Sequence, residues 1–155
     1  MALEPAYYEL IWARAKRHEF RRRFLAGTPV SWLVFLTAPA SALAAVIDLQ
    51  PAIVDEPCRI AALADQARPG NGASVYAYLR DVPRGYAMPI TRVREYPAYP
   101  LYVLRVQIPD FPQPRGHTVI EDHSPLAAVY DTFTANPPLR EMAIQHMSDG
   151  SIIDG

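Results

Sequence analysis

Lysine is almost missing from this chain. Of fifteen Lys and Arg residues only Lys16 is lysine, the bias of a GC-rich coding background in which arginine serves wherever a plain positive charge is enough. A lysine that persists against that bias marks a place where a compact ammonium does what a planar guanidinium cannot, entering a narrow pocket or giving up its proton. Lys16 is the leading candidate for function. Cysteine is as scarce. Cys58 stands alone, which excludes an internal disulfide framework and fits a reducing cytosol. The start, MALEP, lacks the basic opening and apolar core of a signal peptide, so a cytoplasmic location is expected. Excess charge is missing too. A net charge of −1 means that nothing global draws the chain to nucleic acid, and any such attraction must be local. No Gly-rich phosphate loop, CxxC or GxSxG occurs, so kinase, dehydrogenase and α/β-hydrolase readings have no support.

An unbroken hydrophobic run is also lacking. Leu25 to Ile47 carries no charge and follows Arg21, Arg22 and Arg23 in the manner of a membrane anchor, but Gly27, Pro29 and Pro39 interrupt it. Within it SWLVFLT, Ser31 to Thr37, is rich in β-branched and aromatic residues and reads as a buried strand, not a membrane span.

What the chain does have is WARAKRHEFRRRF, residues 12 to 24, with six of the fifteen basic side chains. Pro5 suits the first turn of a helix that runs to about Lys16, with Tyr7, Leu10 and Ile11 on one face and Tyr8 and Trp12 beside them. Beyond Lys16 the period becomes two. Phe20 and Phe24 take one side of a strand, and Glu19, Arg21 and Arg23 the other. Residues 42 to 54 read as one apolar strand with a bulge or edge at Pro51. A helix follows around Ile60 to Ala64, residues 73 to 80 fit either a strand or a helix and read better as a helix, and a strand runs from Gly85 to Tyr96. PLYVLRV is a helical turn or a short strand, and 125 to 133 a last helix. With 155 residues, half of them apolar, the length favours one compact domain over 1–135, and 136–155 reads as a tail that is peripheral or partly disordered.

This order of features resembles the ASCH-domain family, part of the PUA-like superfamily. The residues that carry the resemblance are Pro5, the helix YYELIWARA, then Lys16, Glu19 and Arg21 in a K-x-x-E-x-R pattern, and the strand SWLVFLTAP, with YAYLR, GYAMPITRV and FPQP as later landmarks. It spans residues 1 to 120. The fold it implies is α+β, a small β pseudo-barrel flanked by helices. Two positions depart from the pattern: the family's glycine two residues before the lysine is Arg14 here, and its threonine just after the lysine is Arg17. Some members are amidohydrolases acting on N-acylated cytidine through a lysine, a threonine three positions on, and a distant glutamate. Here Lys16 matches the first and Glu19 stands at the second. Others are thought to bind RNA or to be ribonucleases.

The side chains themselves point to nucleic acid or nucleotide. Lys16, Arg17, Arg21 and Arg23 suit phosphate oxygens, while Glu19 suits an exocyclic amino group of a base or simple neutralisation of its basic neighbours. Tyr8 and Trp12, with Tyr76, Tyr78 and Tyr86, are candidates for a stacking platform, which makes single-stranded RNA or a nucleotide the expected partner. The alternative is a metal-independent hydrolase of RNA or of an N-acylated cytidine nucleoside, with Lys16 and Glu19 catalytic. A third reading uses YPAYPLY, Tyr96 to Tyr102, as a protein contact patch. His117, Glu121, Asp122 and His123 have no recognised ligand spacing, so neither a metal nor a cofactor is expected.

Overall fold

The computed structural model describes residues 2–24, 27–114 and 119–146. The chain forms two compact units, one of Met1–Trp12, Ser31–Ile47 and Val93–Met142, the other of Ala13–Val30, Asp48–Arg92 and Ala143–Gly155.

In the first unit β1 (Ala2–Leu3) lies parallel to β3 (Val30–Leu36), with Ala2 opposite Phe35 and Leu3 opposite Leu36. The order continues through β4 (Ala42–Leu49) to β6 (Gly85–Pro100). Trp32 to Leu36 and Ala42 to Ile47 are buried without a break, which requires cover on both faces of each strand. That cover explains why 32–36 and 42–47 carry no charge. No described helix is long and apolar enough to cross a membrane. Leu33, Phe35, Leu43 and Val46 pack with Tyr96 of β6, with Leu104 of α4 (Leu101–Gln107) and with Val129 and Phe133 of α5 (Pro125–Thr134). Helix α5 starts where the sequence says it should. Ser124 Oγ accepts from the Ala127 N–H at 3.1 Å, and Pro125 occupies the first turn, where it has no hydrogen bond to lose.

In the second unit β2 (His18–Arg21) and β5 (Ile53–Asp55) both run antiparallel to the first half of β6. The expected single strand over 42–54 is two, because β4 ends at Leu49 and the chain bends through Pro51 before β5 begins. Helices α2 (Pro57–Ala67) and α3 (Gly72–Leu79) bury Ile60, Ala61, Ala64, Val75 and Leu79 with Ala87. Gly72 is fixed by close approach: its N–H donates to Asp65 Oδ1 at 2.6 Å, and a Cβ there would fall 2.9 Å from the Ala61 carbonyl oxygen.

Helix α1 (Pro5–Trp12) stops four residues short of the expected Lys16. Two residues on, Arg14 has φ 62°, the left-handed conformation that costs a non-glycine residue roughly 1 kcal/mol. This is the position where the ASCH pattern has glycine. Glycine is the residue best suited to such a turn. Because Arg14 is exposed, Arg14→Gly is expected to raise stability by about 0.5 kcal/mol, the relief of strain outweighing glycine's greater unfolded freedom. Urea melts of the two proteins test this, and a less stable glycine variant would show that the Arg14 side chain holds the turn itself.

Residues 140–143 form β7, paired with β6, and Ile144 is buried. The expected peripheral tail is thus part of the sheet up to this point. The alternation Arg140, Glu141, Met142, Ala143 is too short and too polar to announce a strand, and the free edge of β6 decides the matter. The expected tail beyond residue 146 lies outside the described residues.

Candidate nucleic-acid interface

Strand β2 carries the basic run into the second unit. Its register on β6 sets His18 opposite Pro89, Glu19 opposite Met88, Phe20 opposite Ala87 and Arg21 opposite Tyr86. The Ile90 N–H donates to the Arg17 carbonyl at 2.9 Å, which extends the pairing one residue upstream. Lys16 therefore leads into a strand rather than ending a helix, and its side chain is only 12% exposed. Its Nζ stands 3.6 Å from Glu19 Oε2 and 5.2 Å from the centre of the Phe20 ring. Arg21 Nε lies 3.4 Å from Glu19 Oε1. Glu19 is 5% exposed, and its Oε2 is buried without a hydrogen bond. A carboxylate so placed is held between two cations, yet its acceptor capacity is not filled.

His18, next in sequence, is buried as well, because β2 is covered on both faces. Its ring lies 6.0 Å from Phe20 and 5.1 Å from His146, and its Nδ1 has no hydrogen-bond partner. Burial above all, then the neighbouring His146, Arg17 and Lys16, pushes its pKa down to about 4. The chain beside it is pinned at three points. The Ile144 N–H donates to the Thr91 carbonyl at 2.8 Å, His146 Nε2 lies 2.7 Å from the Ile90 carbonyl oxygen, and Arg17 donates to the Gln145 carbonyl. Sequence reasoning did not find His18 and His146. They are 128 residues apart, and only the register of 144–146 along β6 brings them together.

Of the residues singled out in the sequence, Lys16, Glu19 and Arg21 form one cluster. Arg17 is directed to Gln145. Arg23 is exposed and lies beyond the end of β2 at Arg21, so it does not share the strand face with Glu19. Arg22 packs over the Tyr78 ring at 5.0 Å and donates through Nε to the Tyr78 carbonyl at 2.7 Å.

Tyr8 and Trp12 belong to the first unit and do other work there. Tyr8 is 2% exposed, and its hydroxyl donates to Glu95 Oε2 at 2.6 Å. Burial and then that carboxylate raise its pKa. It cannot offer a face to a base. The Trp12 ring meets Tyr8 edge-on and carries the Arg140 guanidinium on one face at 4.1 Å, while Arg140 also donates to Glu9 at 3.0 Å and Glu95 at 2.9 Å. These hydrogen bonds hold Arg140 firmly protonated. Strand β7 is thereby tied to α1 within this unit. His117 lies outside the described residues, and among those described no three His, Cys, Asp or Glu side chains are grouped to hold a metal ion.

No protein-family model and no curated protein matches the sequence. Solved structures do match the fold. A single-residue variant of an ASCH protein from Zymomonas mobilis superposes with a TM-score of 0.70 at 14% identity, covering 86% of this chain and 94% of that one. A second variant of the same protein gives 0.64 at 17% identity over 84% and 94%, and the unsubstituted protein 0.62 at 17% over 84% and 92%. The α+β, PUA-like fold expected from the sequence is the fold of the chain, which is that of the ASCH domain.

Proposed function

We propose that this domain binds single-stranded RNA or a nucleotide, with the Lys16, Glu19 and Arg21 cluster at the head of β2 as its centre. The observation that carries the reading is the buried carboxylate itself. Gross attraction between charges this close is about 4 kcal/mol in a partly polar interior, but desolvating each ion costs several kcal/mol, so an apolar trio would hold the strand about as well. A cluster that adds little stability and leaves a buried acceptor unfilled is accounted for by a ligand. Lys16 and Arg21 supply positive charge, and Arg17, Arg22 and Arg23 add more along the same stretch, which suits a phosphodiester chain. An unpaired strand can reach such a centre with its bases, whereas a duplex keeps them stacked away. The position three after Lys16 is a glutamate paired with cations, an arrangement that favours binding over an amidohydrolase or ribonuclease reaction.

The test is fluorescence anisotropy with a labelled single-stranded RNA octamer and a duplex of the same length. Single strand is expected to bind better, and affinity to fall roughly tenfold from about 50 mM to about 200 mM salt, the slope of two or three phosphate contacts. Lys16→Ala should weaken binding severalfold and Arg22→Lys should leave it unchanged. Preference for duplex, or no binding at low salt, would refute the reading. Release of product from the octamer would replace it with the hydrolase.

A further inference from the structure

We infer that the centre at Glu19 selects a base whose edge carries an exocyclic amino group next to an unprotonated ring nitrogen, as cytosine and adenine do and uracil does not. The inference rests on the proposed function and names the chemistry that the site would read. Glu19 offers two oxygens, each facing a different cation. Oε1 is 3.4 Å from Arg21 Nε, and Oε2 is 3.6 Å from Lys16 Nζ, beyond hydrogen-bond reach, with no other partner. One acceptor with unfilled capacity therefore sits beside one ammonium. Lys16 ends a flexible four-carbon chain, so the ammonium can withdraw from Oε2 while the carboxylate, fixed in the strand, stays. The opening that this leaves has an acceptor and a donor side by side.

A cytosine edge complements that pair, its amino group donating to Oε2 and its ring nitrogen accepting from Lys16; the adenine edge presents the same order. Uracil reverses both. Its carbonyl oxygen would face the carboxylate and its ring N–H the ammonium, leaving like against like in a site shielded from water. A site built to receive a donor rejects an analogue that lacks it far more strongly than an apolar pocket rejects a missing methylene. The charged pair remains in place when no ligand is present, so the buried carboxylate is neutralised in both states.

The experiment uses the full chain and single-stranded RNA octamers at one low salt concentration: oligouridylate, the same octamer with its two central residues changed to cytidine or to adenosine, and one carrying N4,N4-dimethylcytidine there. The cytidine and adenosine octamers are expected to bind roughly tenfold tighter than oligouridylate. The dimethyl octamer, stripped of donor hydrogens, should bind like oligouridylate, and this arm needs no change to the protein. Glu19→Gln, whose amide can turn either face to the ligand, should bring the cytidine to uridine ratio within about threefold. Equal binding of all octamers by the parent protein would overturn the inference and leave the proposed function standing. A dimethyl octamer that binds as tightly as the cytidine one would also overturn it. Failure of every octamer to bind would overturn both.

Discussion

Acidification from about pH 6.5 to about pH 4 is expected to remove roughly 3 kcal/mol of folding stability through His18 alone. In the unfolded chain the imidazole titrates near 6.5, and in the folded one near 4. Between those values the unfolded state binds the extra proton, so stability rises with pH across the window and is lost as pH falls through it; below about 4 both states are charged and the slope from this group ends. The cause is geometric. The ring is buried with Nδ1 unpartnered, His146 faces it at 5.1 Å, and Arg17 and Lys16 precede it on the chain, all of which oppose a positive charge. Glu19 follows it on β2, and its carboxylate is held by Lys16 and Arg21. His18→Leu removes the titrating group and no hydrogen bond at Nδ1. It is expected to match the parent near neutral pH within about 1 kcal/mol and to flatten the pH dependence. Urea midpoints measured across this range check it. Parallel curves for parent and variant would show that acid sensitivity arises elsewhere.

Much of the fold is legible in the sequence because local patterns there agree with tertiary demands. The uncharged run around SWLVFLT reads as a buried strand because its prolines and glycine forbid an alternative, and the Ser-Pro start of α5 is written in two residues. The misplaced boundaries share a different cause. Nothing in an apolar-periodic run through Trp12 shows that Arg14 will take a left-handed turn, since arginine rarely does so. Arg23 looks like a member of the polar strand face only if β2 continues, and the strand stops at Arg21 before the Arg22 contact with Tyr78. Pairing partners far away in sequence are the least legible of all. Strand β7 exists because β6 has a free edge, and that edge is a property of the sheet rather than of residues 140–143.

The candidate site divides in the same way. That Glu19 and Arg21 share one side could be read from spacing alone, because alternate residues along a strand do so. Their burial could not. A segment with six basic residues looks solvated, and only the cover supplied by neighbouring elements turns Glu19 from a surface counter-ion into a buried carboxylate. Tyr8 went the other way. Its aromatic flank on α1 looked available for stacking, but Glu95, 87 residues later, takes the hydroxyl and the core takes the ring.

Glu19→Ala is expected to cost about 3 kcal/mol, the other large effect, because it leaves Lys16 and Arg21 facing one another across a buried gap. Removing one member of a buried charge cluster is worse than never having built it, since the remaining ions keep their desolvation penalty and lose the charge that offset it. Two partners can partly escape: the Lys16 and Arg21 side chains are 12% and 18% exposed and can extend toward water. The cost should therefore sit at the low end of the range for fully buried pairs. Lys16→Ala combined with Glu19→Ala removes one cation along with the anion and should be more stable than Glu19→Ala alone, a non-additivity that distinguishes electrostatics from lost packing. Binding should move in the opposite direction. Without its carboxylate the head of β2 gains one net positive charge, so oligouridylate should bind Glu19→Ala more tightly at low salt even as the protein becomes less stable. Thermal denaturation at neutral pH together with the anisotropy titration measures both. A Glu19→Ala protein as stable as the parent, with unchanged affinity for oligouridylate, would mean that the cluster is solvated and that Glu19 governs neither the strand nor the ligand.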